Sequence, residues 1–173
     1  MNTKQILSAM KIVSWIIFIG LCIKAGAIII SFCITLFVNA EGASDLYLGL
    51  DLSTLYETNK RYFINLTSFI ITIDLLKAYL FYLVVKIFTK MNLNKPFSNS
   101  LASLITKISY VSFSMGLIAI IASAYNKWLM HKGMTSQLNW ESSSYLFMAG
   151  IIFIIAVHFK RGIELQTENE LTI

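Results

Sequence analysis

Residues 12–38 read IVSWIIFIGLCIKAGAIIISFCITLFV, 27 residues with one charge, Lys24. A helix crosses hydrocarbon with roughly 17–25 apolar residues, so this run is long enough to span a bilayer and to tilt or protrude. Three more runs follow it: 62–85, 101–125 and 142–159, of 24, 25 and 18 residues. Backbone facing lipid must satisfy its own hydrogen bonds, so runs of this length are helices unless short alternating segments close a barrel, and there are none. The expected fold is an all-α membrane protein, one domain over residues 1–173, with four transmembrane helices in a bundle.

Composition agrees. Of 173 residues, 57% are hydrophobic and 13% charged, with mean hydropathy +0.70. A soluble domain has roughly 45–50% and 25%, so a single core of this size cannot hide the excess. Low charge, absent heptads and two cysteines exclude disorder, coiled coil and a disulfide-stapled fold. Lys4 and Lys11 before an apolar stretch, with Ala25-Gly26-Ala27 after it, have the outline of a signal peptide. Cleavage there would strand 28–38 and leave Lys24 in the leader, which favours an uncleaved first helix.

Orientation follows from basic residues near the span ends. Lys4, Lys11, Lys86, Lys90, Lys95, Lys160 and Arg161 fall on one side; Lys60, Arg61, Lys127 and Lys132 on the other. The positive-inside rule then puts both termini and the loop between spans two and three in the cytoplasm. The acids lean the opposite way, so the net charge of +5 reflects topology and anionic lipid rather than nucleic-acid binding. In the first outer loop, Leu46–Leu52 alternates like a short strand or an interfacial segment. In the second, Trp128 and Trp140 read as interface anchors.

Lys24, Asp74 and Lys77 lie within spans. Lys24 and Asp74 sit near the midpoints of spans one and two, at similar depth, and Lys77 is one turn from Asp74. An unpaired charge there costs on the order of 3 kcal/mol, so such residues turn inward and pair. Gly20, Lys24, Ala27 and Ser31 share a helical face and predict the contact surface of span one. Span two carries two polar stripes, Thr67-Asp74-Ala78 and Asn65-Ser68-Thr72-Tyr79-Tyr82. Span three carries Ser103-Lys107-Tyr110-Ser114 opposite Ser109-Ser112-Gly116-Ala119-Ser123. Each stripe predicts a neighbour, and span four, with only Ala149 and Ala156, is expected to be the most lipid-exposed. Lys24 and Asp74 read either as a structural pair that sets helix register or as part of a proton or ion relay.

Enzyme chemistry finds no support. His131 and His158 fall on opposite sides of the membrane and cannot share a metal or acid–base site. Cys22 and Cys33, about 16 Å apart along one helix, cannot form a disulfide and read as buried thiols. Phosphate loops, nucleophile elbows and zinc-protease motifs are missing. The expectation is a non-enzyme with no catalytic residue, cofactor or metal.

Two cytoplasmic segments are distinctive: Asn94-Lys95-Pro96-Phe97-Ser98, and the tail from Phe159 through Gly162, Glu168 and Asn169 to Ile173. With the four-span layout, they resemble the bacterial membrane-protein family known as domain of unknown function 2975, over nearly the whole chain. The resemblance implies a small multi-pass protein of a bacterial inner membrane and brings no catalytic residues. Members are often encoded beside a small helix-turn-helix regulator, which implies a cytoplasmic protein partner for a candidate surface of Lys95, Pro96, Phe97, Gly162, Glu168 and Asn169. On physical grounds, Pro96 with a capping Ser98, Asn99 or Ser100 starts helix three, and Gly162 permits a bend. Residues 163–173 are expected to continue helix four or pack on the 94–98 turn, with Leu165 and Leu171 facing protein. Two functional classes remain: an interaction or regulatory protein acting through that loop and tail, or a small transport or permeation protein using the midplane charges.

Overall fold

The computed structural model describes residues 3–91, 97–134 and 138–171, with side chains over 4–91, 97–134 and 138–168. In order the elements are α1 (Thr3–Phe37), a 3-10 turn (Ala40–Ala43), α2 (Ser53–Thr58), α3 (Lys60–Lys90), α4 (Asn99–His131) and α5 (Ser142–Leu171). Among the described residues there is no strand. α1, α3, α4 and α5 are long and apolar enough to cross a membrane, as expected for an all-helical four-span protein. They have 30–35 residues each. At 1.5 Å per residue that is roughly 45–53 Å, against about 30 Å of hydrocarbon, so each helix outruns its apolar run.

The chain forms two compact units. The first contains Met1–Phe18, Tyr79–Gly116 and Ser143–Ile173. Small residues set its α4–α5 contact: Ser109 Oγ donates to the Ala149 carbonyl at 3.0 Å, and a Cβ on Gly116 would lie 2.5 Å from Leu146 Cδ2. Close backbone approach of this kind holds helices together where lipid gives no hydrophobic drive. α1 meets α3 through Phe18 and Tyr82, whose ring centroids are 5.8 Å apart.

The second unit contains Ile19–Ala78 and Leu117–Ser142. Phe63 is fully buried, stacked on Phe32 at 5.8 Å and edge-on to Tyr56 at 5.2 Å. Leu46, Leu52 and Leu55 are buried beside the 3-10 turn. Tyr62, Tyr125 and Trp128 cluster, with Lys132 Nζ 4.3 Å from the Trp128 ring. Aromatic rings with a cation at a helix end are the composition of a membrane interface.

Several expectations need correction. The face that α1 buries is Ser14, Ala25, Ile28 and Thr35, with Phe18, Leu21 and Phe32 half-buried. The Gly20-Lys24-Ala27-Ser31 stripe therefore lies at the rim of this seam, and Gly20 is exposed. Large apolar side chains can bury a seam as well as small ones do, so small residues alone misplaced it by about one residue. α1, not α5, is the most exposed spanning helix: 11% of its most apolar window is buried, against 17% for α5 and 39% for α3 and α4. Cys22 and Cys33 lie on its exposed side, where an apolar thiol suits lipid. Trp128 is exposed, but Trp140 is buried against Phe69 at 6.5 Å. Leu46–Leu52 forms a tight turn instead of a strand: Leu48 and Gly49 have φ of 47° and 84°, Leu46 N–H donates to the Leu50 carbonyl at 2.9 Å, and Gly49 N–H donates to Asp45 Oδ1. Two successive left-handed residues reverse the chain before a strand can run.

Candidate functional site

In the second unit, α1 and α3 bring Lys24 and Asp74 together. Lys24 Nζ donates to Asp74 Oδ1 at 3.2 Å and lies 3.2 Å from Oδ2. Lys77, one turn along α3, places its Nζ 3.7 Å from Oδ1. Burial is lopsided: the Asp74 side chain is 3% exposed, those of Lys24 and Lys77 37% and 32%. Asp74 shares a buried face with Thr67, Ile70 and Ala78, because residues at i, i+3, i+7 and i+11 repeat on one side of a helix. The lysines reach the carboxylate from the rim along apolar stems, as long cationic side chains do. One carboxylate thus serves two ammonium groups, a net positive cluster in the middle of two spans.

Asp74 Oδ2 lies outside hydrogen-bond geometry, as do the buried hydroxyls of Thr67 and Ser112. The lysine contact to Oδ2 is therefore electrostatic rather than a directed bond. Removing the carboxylate would strand charge in a setting that solvates it poorly.

Of the two stripes on each of α3 and α4, one is buried and the other largely exposed. Thr67-Asp74-Ala78 and Ser109-Ser112-Gly116-Ala119 are buried, whereas Asn65, Ser68, Thr72, Ser103, Lys107, Tyr110 and Ser114 are exposed. Asn65 Nδ2 donates to Tyr125 OH at 3.3 Å over a shallow cavity with Phe69, Ser68 and Thr72. Asn65 and Tyr82, at the two ends of the α3 stripe, thus each meet a neighbouring helix, while Ser68 and Thr72 bond back to their own helix.

In the first unit, Phe97, two residues before α4, packs on α5. Phe97 and Phe159 ring centroids are 5.1 Å apart, and a Cβ on Gly162 would lie 2.8 Å from Phe97 Cε1. Gly162 therefore makes room for a ring, and α5 passes through it as unbroken helix instead of bending. Ser98 caps α4, its Oγ accepting from Leu101 N–H at 3.4 Å, while Lys90 Nζ donates to Ser100 Oγ at 3.1 Å. α5 continues to Leu171 as one helix, the first of the two outcomes expected for the tail. Leu165 does not face protein: it is 55% exposed, because Phe159, Gly162, Ile163 and Gln166 occupy the inward face. Glu168 is exposed. Lys95 and Pro96 lie outside the described residues, as do the side chains of Asn169 and Leu171. The Phe97–Gly162 contact and the Lys90–Ser100 bond have no signal in sequence periodicity.

Neither histidine joins a cluster. His158 Nδ1 lies 2.9 Å from the Ile154 carbonyl, and His131 ends α4. Among the described residues no group of three or more His, Cys, Asp or Glu could hold a metal.

The family model described as protein of unknown function, DUF2975, matches residues 47–173. The chain belongs to this family. The DUF2975 match takes in Asp74, Lys77, Phe97, Gly162 and Glu168, while Lys24 precedes it. Among curated proteins and among solved structures, none matches the chain.

Proposed function

We propose that this DUF2975 protein is a non-enzymatic interaction or regulatory protein of a bacterial inner membrane, with both termini cytoplasmic, acting through the α3–α4 loop and the end of α5. The observation that carries this is α5 itself. It runs as helix about 18 Å beyond Phe159, braced by Phe97, and keeps Arg161, Leu165 and Glu168 exposed on one stripe. A rigid, amphipathic ledge of this kind suits a soluble protein partner better than a frayed end does. The helix-turn-helix regulator that family members are often encoded beside is the partner to test first. A photo-crosslinker at residue 165, in membranes carrying the full chain, should capture one soluble protein, and Arg161→Glu with Glu168→Lys should abolish capture. Lipid-only adducts at 165 would overturn the reading.

A second reading rests on the Lys24–Asp74–Lys77 cluster, because three charged side chains gathered within the spans suit a permeation or transport site. Proton or ion flux in proteoliposomes that disappears in Asp74→Asn, with α5 crosslinking unaffected, would favour it.

A further inference from the structure

Between α4 and α5 in the first unit lies an open groove of about 530 Å³, lined by Asn99, Ser103, Lys107 and Tyr110 from α4 and by Lys160 and Glu164 from α5. Ser103, Lys107 and Tyr110 belong to the α4 stripe that the chain leaves exposed. Among the described residues, no ion pair engages Lys107, Lys160 or Glu164.

Depth identifies what the groove meets. α4 is 33 residues long, roughly 50 Å, so about 10 Å extends past the hydrocarbon at each end. Lys107 is about 12 Å from Asn99 and so stands at the hydrocarbon boundary. Lys160 is about 27 Å along α5 from Ser142, near the far limit of a bilayer core. Both lysines are thus within side-chain reach of lipid phosphates.

We infer that this groove binds the headgroup of one anionic glycerophospholipid, its phosphodiester held by Lys107 and Lys160. Charge selects the ligand. Two ammonium groups and one carboxylate leave a surplus of one positive charge, which one phosphodiester neutralises and a zwitterionic headgroup does not. The hydroxyls of Ser103 and Tyr110 donate to phosphate oxygens, and Glu164 accepts from headgroup hydroxyls. The volume lies within the roughly 300–1,000 Å³ of small-ligand sites. The acyl chains continue over exposed apolar side chains on the same flank, Phe113 of α4 and Phe153 and Val157 of α5, the last two lying seven and three residues before Lys160 on its face. The Arg161-Leu165-Glu168 stripe adjoins this face of α5 at Glu164 but contributes no lining residue to the groove, so the site does not rest on the proposed partner.

The full-length protein in a neutral detergent, given phosphatidylglycerol, phosphatidylcholine or inorganic phosphate, can be read by native mass spectrometry. One phosphatidylglycerol per chain should be retained, phosphatidylcholine should not, and inorganic phosphate should not displace it. Lys107→Gln and Lys160→Gln should each weaken retention about fivefold, the scale of one lysine near an anionic surface. Glu164→Gln keeps an acceptor while removing the opposing charge and should tighten retention, a gain that misfolding cannot imitate. Equal retention of phosphatidylcholine, displacement by phosphate alone, or unchanged retention in the double lysine variant would overturn the inference.

Discussion

Asp74→Leu should destabilise the protein more than Lys24→Met, and the double variant should lose less than the two single losses together. A lysine stranded at a helix centre costs about 2.5–3.5 kcal/mol on insertion scales. Lys24 is a third exposed and can move its ammonium group outward, which discounts that figure to about 2 kcal/mol. Lys77 also loses its 3.7 Å contact, bringing the Asp74→Leu loss to about 3 kcal/mol. Lys24→Met is milder, about 1.5 kcal/mol, because Asp74 keeps Lys77. Once Asp74 is gone, replacing Lys24 removes a stranded cation instead of a bond and recovers stability.

The coupling is therefore favourable and about 2–3 kcal/mol, near the upper end for residues in direct contact. Thermal unfolding in detergent reads it, at roughly 2–4 °C per kcal/mol for a chain of this size. Asp74→Leu should lower the midpoint by about 6–12 °C and Lys24→Met by about half as much, with the double variant between them. Additive losses would show that the contact contributes nothing. A Lys24→Met loss as large as that of Asp74→Leu would refute the view that Lys77 shares the carboxylate.

Gly116→Ala places a methyl 2.5 Å from Leu146 Cδ2 and 3.3 Å from its backbone nitrogen, so it should cost about 1–3 kcal/mol in the same assay, while Gly20→Ala, with nothing within 4 Å, should not. Asp51 accepts from the Ser53 hydroxyl and N–H, bonds that hold its carboxyl below the ordinary value of 3.8. A folded value below the unfolded one stabilises above 3.8 and is lost as pH falls through the folded value, so hydrogen-exchange protection of the Ser53 amide should fail only in that acid range and lose this pH dependence in Asp51→Asn. Reporter tags at residues 1 and 173 should both read cytoplasm and one near Gly49 the opposite side; a cytoplasmic signal at Gly49 would reverse the orientation.

The spans were legible because bilayer thickness imposes a length that hydropathy reads directly. The Lys24–Asp74 juxtaposition was legible for a similar reason: two charges at matching depth have few other ways to be neutralised. The seam of α1 was not, since in lipid the apolar moment that marks a buried face in water vanishes, and Ile28 looks no different in sequence from the exposed Ile30. Nor was the turn at Leu48-Gly49, where an alternating pattern suggested strand but two left-handed residues reverse the chain. Phe97 on Gly162 was invisible because it joins residues 65 positions apart through shape alone.

The exposed polar stripes of α3 and α4 show why a polar side chain in a span need not imply a neighbouring helix. Ser68 donates to the Ile64 carbonyl at 2.7 Å, Thr72 to Ser68 at 2.7 Å and Ser114 to Tyr110 at 3.0 Å, each one turn back on its own helix. A hydroxyl satisfied in that way presents little more than a methylene to lipid. Lysine has no such escape, because a carbonyl of its own helix can accept a bond from the ammonium group but cannot neutralise its charge. Where a charge appears within a span it must find an anion, within the chain or outside it. Lys24 and Lys77 find Asp74 within it. Among the described residues Lys107 has no ion pair, which separates it from the serines beside it and makes it the residue on that face whose replacement should matter most.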